Sequence, residues 1–292
     1  MDLLCYVAVA CGINYVRPQR KPVMYRPAVI TFVDILGFKD IIAKSSFETV
    51  AKKLKTVRRL SGVDPSNTGE DGDAKIIQFS DSIIRVRPLD SKANKSARYG
   101  LLFFELLDLV HMQGELISHG ICMRGGVSLG EVHFEEDTLY GPGFVRAYEL
   151  ESIYAKYPRI VIDPKLIEYI RKDQRLSSKH NSLQDEIDHI RKNIHQDSDG
   201  IYFIDYLRSF LGEIDESENV PVFLQNHKDL IVSNSTKLDT LNPISAKYLW
   251  MATYHNSVVA ELLPTFFKHH GIKRSDLEIS SKEMPVLQRV EA

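Results

Sequence analysis

The chain has 292 residues, 43% of them hydrophobic and 26% charged, with a formal net charge of −2 and a pI near 6.6. That length can bury a sizeable core as one large domain or two small ones, and the charge balance gives no whole-protein basic field, so nonspecific binding to duplex nucleic acid is not favoured. Three cysteines, Cys5, Cys11 and Cys122, are too few and too scattered for a disulfide framework or a zinc site, and they fit a reducing cytoplasm.

In chain order, Leu3 to Val16 is apolar but interrupted by Gly12 and Asn14. It follows Asp2 rather than a basic segment and is too short to cross a bilayer, so no stable membrane span is expected. Residues 1–23 read as an extension packed on the domain or as the product of an upstream start codon, with Met24 as the natural start. A weak signal-like segment is the less favoured alternative. Val29 to Phe38, V-I-T-F-V-D-I-L-G-F, is a run of β-formers ending in an acid and then a glycine, which predicts a buried strand. Asp34 sits at its carboxyl end, Gly37 allows a tight turn, and Asp40 begins a helix through Leu60. Strand, acid, glycine turn and helix together suit a cation and phosphate site, the acid holding the metal and backbone N–H groups meeting phosphate oxygens. Asp34 as a mere cap of that helix is the alternative.

Residues 61–73 are polar and read as a loop. Lys75 to Arg87 contains two short β-runs flanking Phe79-Ser80-Asp81-Ser82, which predicts a hairpin with an acid at its tip. Asp81 alone could be a solvated turn residue. Two strands that each deliver one Asp can instead hold two divalent cations, as phosphoryl-transfer chemistry requires. Arg98 to His119 predicts a second helix, Met123 to His133 a glycine-rich strand or strand pair, Phe144 to Ala155 a helix, and Arg159 to Asp163 a short strand. The Gly125-Gly126 pair implies close backbone approach by another strand or subunit. The order is that of an α+β layer with helices on one face.

After Asp163 the character changes. Pro164 opens a helix through Ile170, Lys179 to Gln196 is charged and amphipathic, Asp199 to Leu211 reads as strand and turn, and Ala246 to His269 as one long helix carrying the only tryptophan, Trp250. Residues 24–165 are thus expected to form a catalytic domain and residues 166–292 a mainly helical elaboration packed on it or on a second subunit. His227, His255, His269 and His270 have no acid or Cys partner at ligand spacing and read as core or solvated residues.

Four stretches together resemble the class III nucleotide cyclases. F-V-D-I-L-G-F is similar to their first metal motif and F-S-D-S to their second metal hairpin; Met123-Arg-Gly-Gly-Val-Ser-Leu-Gly-Glu resembles their R-x-G-I-x-x-G strand, and Tyr140-Gly-Pro-Gly-Phe-Val-Arg-Ala-Tyr-Glu-Leu-Glu their G-x-x-V-N-x-A-x-R-L-E helix. Order and spacing match over roughly half the chain, Val29 to Asp163. The variant spelling is most similar to the pyrimidine (uridylate and cytidylate) cyclases of bacterial Pycsar antiphage systems. The resemblance implies a ferredoxin-like, palm-type sheet. It implies two Mg²⁺ or Mn²⁺ ions held by Asp34, Asp81 and the Ile35 carbonyl, with Leu36, Gly37 and Phe38 cradling phosphates. It further implies a cytoplasmic head-to-tail homodimer with active sites at the subunit interface, and a separate effector that responds to the cyclic product.

Two departures matter. The family's purine cyclases carry an Asn and an Arg on the helix, and those places here are Val145 and Glu149; Arg146 is the candidate substitute and Arg124 the second. Adenylyl cyclases read the purine with a Lys and an Asp at places that here are Ile77 and Thr138, and the Glu and Cys of guanylyl cyclases are not matched either. A smaller base is implied, with Gln78 or Tyr140 in reach of it. The expected reaction is UTP to 3′,5′-cyclic UMP and pyrophosphate, with CTP as the alternative substrate. A degenerate domain that binds nucleotide without turnover is the second reading. A polymerase-palm or diguanylate-cyclase relative is opposed by the missing G-G-D/E-E-F hairpin. A phosphatase using Asp34 as nucleophile is opposed by Leu36, where a second Asp would be needed.

Overall fold

The first strand, β1 (Arg26–Ile35), is buried along both faces, which is why its sequence shows no polar alternation. Val29, Val33 and Ile35 point to one side and Ala28, Ile30 and Phe32 to the other, as the two-residue repeat of a strand requires. The computed structural model describes residues 25–62, 74–91, 97–135, 138–235 and 243–284, so the expectations for residues 1–23 and for most of the loop 61–73 lie outside it.

The remaining strands are β2 (Lys75–Phe79), β3 (Ser82–Pro88), β4 (Met123–Glu135), β5 (Thr138–Tyr140), β6 (Ile160–Ile162), β7 (Ile194–Gln196) and β8 (Tyr202–Ile204). They form one sheet in the order β2-β3-β1-β4-β6-β8-β7, with β5 paired to the far end of β4. Only β4 and β6 are parallel. The expected α+β class is what the chain adopts. The sheet also runs on beyond residue 165, because β8 pairs with β6 through Val161 and Phe203.

The helices are α1 (Phe38–Lys44), α2 (Phe47–Leu60), α3 (Leu101–Ser118), α4 (Pro142–Glu149), α5 (Pro164–Ile170), α6 (Leu183–Arg191), α7 (Tyr206–Leu211), α8 (Asn219–Ser235), α9 (Pro243–Glu261), α10 (Pro264–His270) and α11 (Arg274–Leu277). The apolar α3 lies on the Val29 face, its Leu102, Leu106, Leu109 and Val110 in one core with residues of α7, α8 and α9. On the Ala28 face lies α4, through Phe144 and Ala147. Its approach is down to backbone contact: a Cβ on Gly126 would sit 2.3 Å from the Leu150 Cβ, and one on Gly130 would sit 2.6 Å from the Gly143 Cα. The Ser128 hydroxyl donates to the Gly143 carbonyl at 2.8 Å. The glycines of β4 therefore admit a helix of the same chain at Gly126, while Gly125 abuts β1.

Several boundaries differ from those expected. The helix expected from Asp40 to Leu60 is two, because Ser46 takes an extended backbone and accepts the Thr49 N–H as the cap of α2. Ala246 to His269 is likewise two, since Pro264 cannot continue a helix and Leu263 before it turns extended. Met123 to Glu135 is one long strand, and β5 supplies its hairpin partner. The amphipathic stretch after Lys179 becomes α6, opened by a Ser182/Asp185 capping box, and then β7. α4 leads into a π-helical turn, Leu150–Tyr154.

Between β1, β3 and α3 lies a buried charge network. The Glu105 carboxylate accepts from the Thr31 hydroxyl at 2.7 Å, from the Arg85 Nε at 2.9 Å and from the Arg87 Nε at 2.5 Å, while Arg85 also donates to the Ser61 carbonyl at 2.8 Å. Asp108 closes the network on both arginines.

His227 and His255 are core residues, as the absence of ligand partners implied. Their rings stack with Nδ1 atoms 2.9 Å apart between α8 and α9. The Leu277 carbonyl lies 2.9 Å from His255 Nε2, so that nitrogen carries a proton; the neutral ring then accepts at Nδ1 from His227, whose Nε2 accepts from the Tyr206 hydroxyl. Burial holds His227 well below its ordinary value, helped by its neighbour, and burial together with the Lys228 charge brings His255 down to about 4. The unfolded chain takes up a proton near 6.5 and the folded chain does not, so the stability present above 6.5 is lost as pH falls toward 4. His255 alone should cost about 2 kcal/mol between pH 7 and pH 5. Urea unfolding at both pH values should show a smaller drop in His255→Gln than in wild type; an equal drop would count against this account.

Candidate active site

The site forms where β1 ends. Asp34 stands opposite Arg124 of β4, and on its other side β3 begins at Ser82, just past the hairpin tip that carries Asp81. The tip is tight: Ser80 takes a left-handed backbone at φ 56°, rare for a residue with a side chain. The Ser82 hydroxyl donates to Asp34 Oδ1 at 3.3 Å. Arg124 Nη2 lies 3.8 Å from Asp34 Oδ2 and 2.7 Å from Glu151 Oε1, so the guanidinium is held mainly by the buried Glu151 of the π turn.

Asp34 is pushed up to about 7 by burial, by a hydrogen bond to the Asp81 carboxyl, and by the charges of Asp81 and Glu151, with Arg124 opposing. Burial and the Asp81 charge raise Glu151 too. A carboxyl group raised in this way lacks enough positive charge beside it. Among the described residues no three His, Cys, Asp or Glu side chains are grouped for a metal. What is present is a pair of carboxylates with hard oxygen donors, which fits Mg²⁺ or Mn²⁺ completed by carbonyl, water and substrate oxygens rather than zinc. Asp34 and Asp81 are the residues that would hold such ions, with Ile35 next in the chain.

The turn after β1 departs from the expected phosphate cradle in one respect. The Leu36 N–H already donates to the Cys122 carbonyl at 2.9 Å. Any contact from this turn therefore falls to the Gly37 and Phe38 N–H groups, which α1 cannot satisfy because Gly37 is its N-cap and Phe38 its first residue. Gly37 is left-handed at φ 75° with open space beside it, and its carbonyl receives Asp40 and Ile41. The Phe38 ring is buried in the core.

The other candidates are spread out. Gln78 lies on β2 opposite Ile83, its amide donating to the Ser80 carbonyl at 3.3 Å beside the hairpin tip. Arg146 of α4 donates from Nε to the buried Asp163 at 2.6 Å and lies over the Tyr154 ring. Tyr140 pairs with His133, nine residues along β4 from Arg124, so about 30 Å separates it from Asp34 within one chain. The outward face of α4 and the turn after it exposes Val145, Tyr148, Ile153 and Tyr154.

Three groups at the site were not singled out from sequence. Ser82 and Glu151 lay inside quoted motifs but had no assigned role. Lys247 of α9 is the third: it is half-buried, and the charges of Arg124 and Glu151 both reach it. Nothing in its local sequence points to β1.

No family model matches the chain, and no curated protein matches it. Similar solved structures include the guanylyl cyclase Cya2, at 18% identity over 62% of this chain and 93% of that one, with a TM-score of 0.38. The adenylyl cyclase CyaB from P. aeruginosa is similar at 16% identity over 51% of this chain and 82% of that one, with a TM-score of 0.35. A bacterial light-regulated adenylyl cyclase is similar at 16% identity, 57% and 51% coverage and a TM-score of 0.34. Values this low carry no inference about what this chain acts on; the α+β class stands on the sheet itself. Among the described residues no helix is long and apolar enough to cross a membrane.

Proposed function

We propose that this protein is a nucleotide cyclase of the class III type that converts UTP to 3′,5′-cyclic UMP and pyrophosphate, with CTP as the alternative substrate. The observation that carries the reading is the meeting of Asp34 and Asp81 at the end of β1, with Arg124 across the sheet. In the reaction the ribose 3′-oxygen loses its proton and bonds to the α-phosphorus, and the bond from that phosphorus to the bridging oxygen breaks, releasing pyrophosphate. Divalent ions bound at the two carboxylates would lower the pKa of the 3′-hydroxyl and offset phosphate charge. Asp34 and Asp81 orient that centre. Arg124 and Arg146 are the cations available to the developing charge. Gly37 and Phe38 offer N–H groups to the phosphates, and Gln78 stands beside the hairpin for the base.

Support for a pyrimidine comes from Ile77 and Thr138, which stand where a purine-reading pair would be. Support for a head-to-tail dimer comes from Tyr140 and the exposed apolar face of α4, because a second subunit could bring both to Asp34. The protein would act in the cytoplasm, and its product would switch on a separate effector in antiphage (Pycsar-type) defence. Val145 and Glu149 favour the second reading, a domain that binds nucleotide without turning it over.

The deciding experiment incubates purified protein with ATP, GTP, CTP and UTP separately in Mn²⁺ and identifies products by chromatography and mass. A cyclic pyrimidine monophosphate supports the reading; no cyclic product from any of the four favours the binding domain. Mixing inactive Asp34→Ala and Arg146→Ala subunits should restore part of the activity if each site draws on two chains. No recovery in the mixture would count against shared sites.

A further inference from the structure

Asp34 and Arg124 stand directly opposite each other in the β1–β4 pairing, where side chains leave the backbone about 5 Å apart. An acid and an arginine so placed can close to a charge-assisted hydrogen bond. Here they do not: Arg124 Nη2 stops 3.8 Å from Asp34 Oδ2 and instead reaches Glu151 Oε1 at 2.7 Å. The other Asp34 oxygen accepts only the long 3.3 Å bond from Ser82. Both oxygens of the acid thus stay within reach of a cation.

The position of Glu151 is set by the backbone. α4 ends at Glu149, and the wider π turn Leu150–Tyr154 places Glu151 over β4. Gly126 permits this: it lies two residues from Arg124 on the same face of the strand, and a Cβ there would sit 3.1 Å from the Glu151 N. The Glu151 side chain is 4% exposed and that of Arg124 27%, so the carboxylate is the fixed member of the pair and the guanidinium the movable one. Among the described residues no donor is aligned on Glu151 Oε1 as a hydrogen bond, so charge holds the pair.

We propose that Glu151 is a positioning residue: it draws Arg124 away from Asp34 and so keeps that acid open to a divalent cation. This rests on the reading of Asp34 as a metal-holding acid. Without the Glu151 charge, Asp34 is the carboxylate facing Arg124 across the strands, and a movement of about 1 Å closes the two into a charge-assisted pair. A cation would then have to displace a guanidinium before it could bind.

The test titrates the full chain with Mn²⁺ alone and follows the free ion by electron paramagnetic resonance. Wild type, Glu151→Gln, Arg124→Leu and the double variant form a cycle, and Arg124→Gln replaces Arg124→Leu if the latter does not fold. Glu151→Gln should weaken Mn²⁺ about tenfold when Arg124 is present and less than threefold when it is absent. Loss of a nearby negative charge by itself would weaken the ion equally in both backgrounds. That result, or unchanged affinity in Glu151→Gln, would overturn the proposal. Mn²⁺ binding that is absent from wild type, or that survives Asp34→Ala, would remove the metal reading and the proposal with it. No nucleotide is present, so the outcome is separate from turnover. An Arg124-dependent loss in a protein that makes no cyclic product sustains the role of Glu151 and counts against the cyclase reading. A cyclic product with an equal loss in both backgrounds does the reverse.

Discussion

Asp81→Ala should abolish formation of cyclic nucleotide, with a loss on the order of a thousandfold or more, while the chain unfolds at a temperature no lower than that of wild type, since the Asp81 charge opposes ionised Asp34. Asp81 stands at a hairpin tip outside the core, so truncation removes a metal-holding carboxylate and little packing. Asp34→Asn should be equally inactive but more stable than wild type. The folded chain lifts Asp34 from 3.8 to about 7, so its charge opposes folding. The sign is that of a raised acid: the cost is absent below about 3.8 and grows as pH rises to 7. Allowing for solvent access, Asn should recover about 2 kcal/mol at pH 8 and almost nothing at pH 4. Product assays and thermal unfolding at both pH values check this. Turnover within tenfold of wild type in either variant would refute the metal assignment, and a destabilised Asp34→Asn would refute the charge argument.

Glu105→Ala should be strongly destabilising, costing about 3–5 kcal/mol. Arg85 is 4% exposed and Arg87 13%, and both depend on the Glu105 carboxylate. Removing it leaves two largely buried guanidinium groups with Asp108 at the edge and, for Arg85, the Ser61 carbonyl, and it strips the Thr31 hydroxyl of its acceptor. Replacing the pair together, as Arg85→Met with Glu105→Leu, should cost less than Glu105→Ala alone, because the most deeply buried guanidinium goes with its partner and the remaining Arg87 keeps Asp108. Burial raises Glu105, but the Arg85 and Arg87 charges and hydrogen bonds overcome it and bring it down to about 2. This depressed acid adds stability that is full above about 4.5 and lost as pH falls toward 2. Urea unfolding measures both effects. A cost under about 1 kcal/mol for Glu105→Ala would show that the arginines find other partners.

How much could be read in advance depended on the range of the signal. β1 was legible because a strand buried on both faces must be apolar throughout, and its terminal acid was conspicuous for breaking that rule. The hairpin acid was legible because Ser-Asp-Ser between β-runs is turn chemistry. The break at Ser46 was written locally too, since Ser is a favoured cap, but the apolar spacing on either side obscured it. α8 was not anticipated: its buried Phe223, Leu224 and Ile231 are interspersed with polar residues, including a fully buried His227, and only packing explains them.

What the chain's sequence determined by itself was the α+β class, the two acids, and a glycine pair on β4 that calls for a close backbone neighbour, because each depends on residue type and near neighbours; that the neighbour at Gly126 is a helix of the same chain was decided by the tertiary structure. What only the tertiary structure decided was the company those acids keep. Arg124 faces Asp34 by strand register, Glu151 reaches Arg124 from the π turn, and Lys247 arrives from α9 more than two hundred residues along the chain. Leu36 lost its free N–H to Cys122 in the same way. The electrostatics of the site are sums over groups brought near by folding, and sequence separation carries no information about that distance.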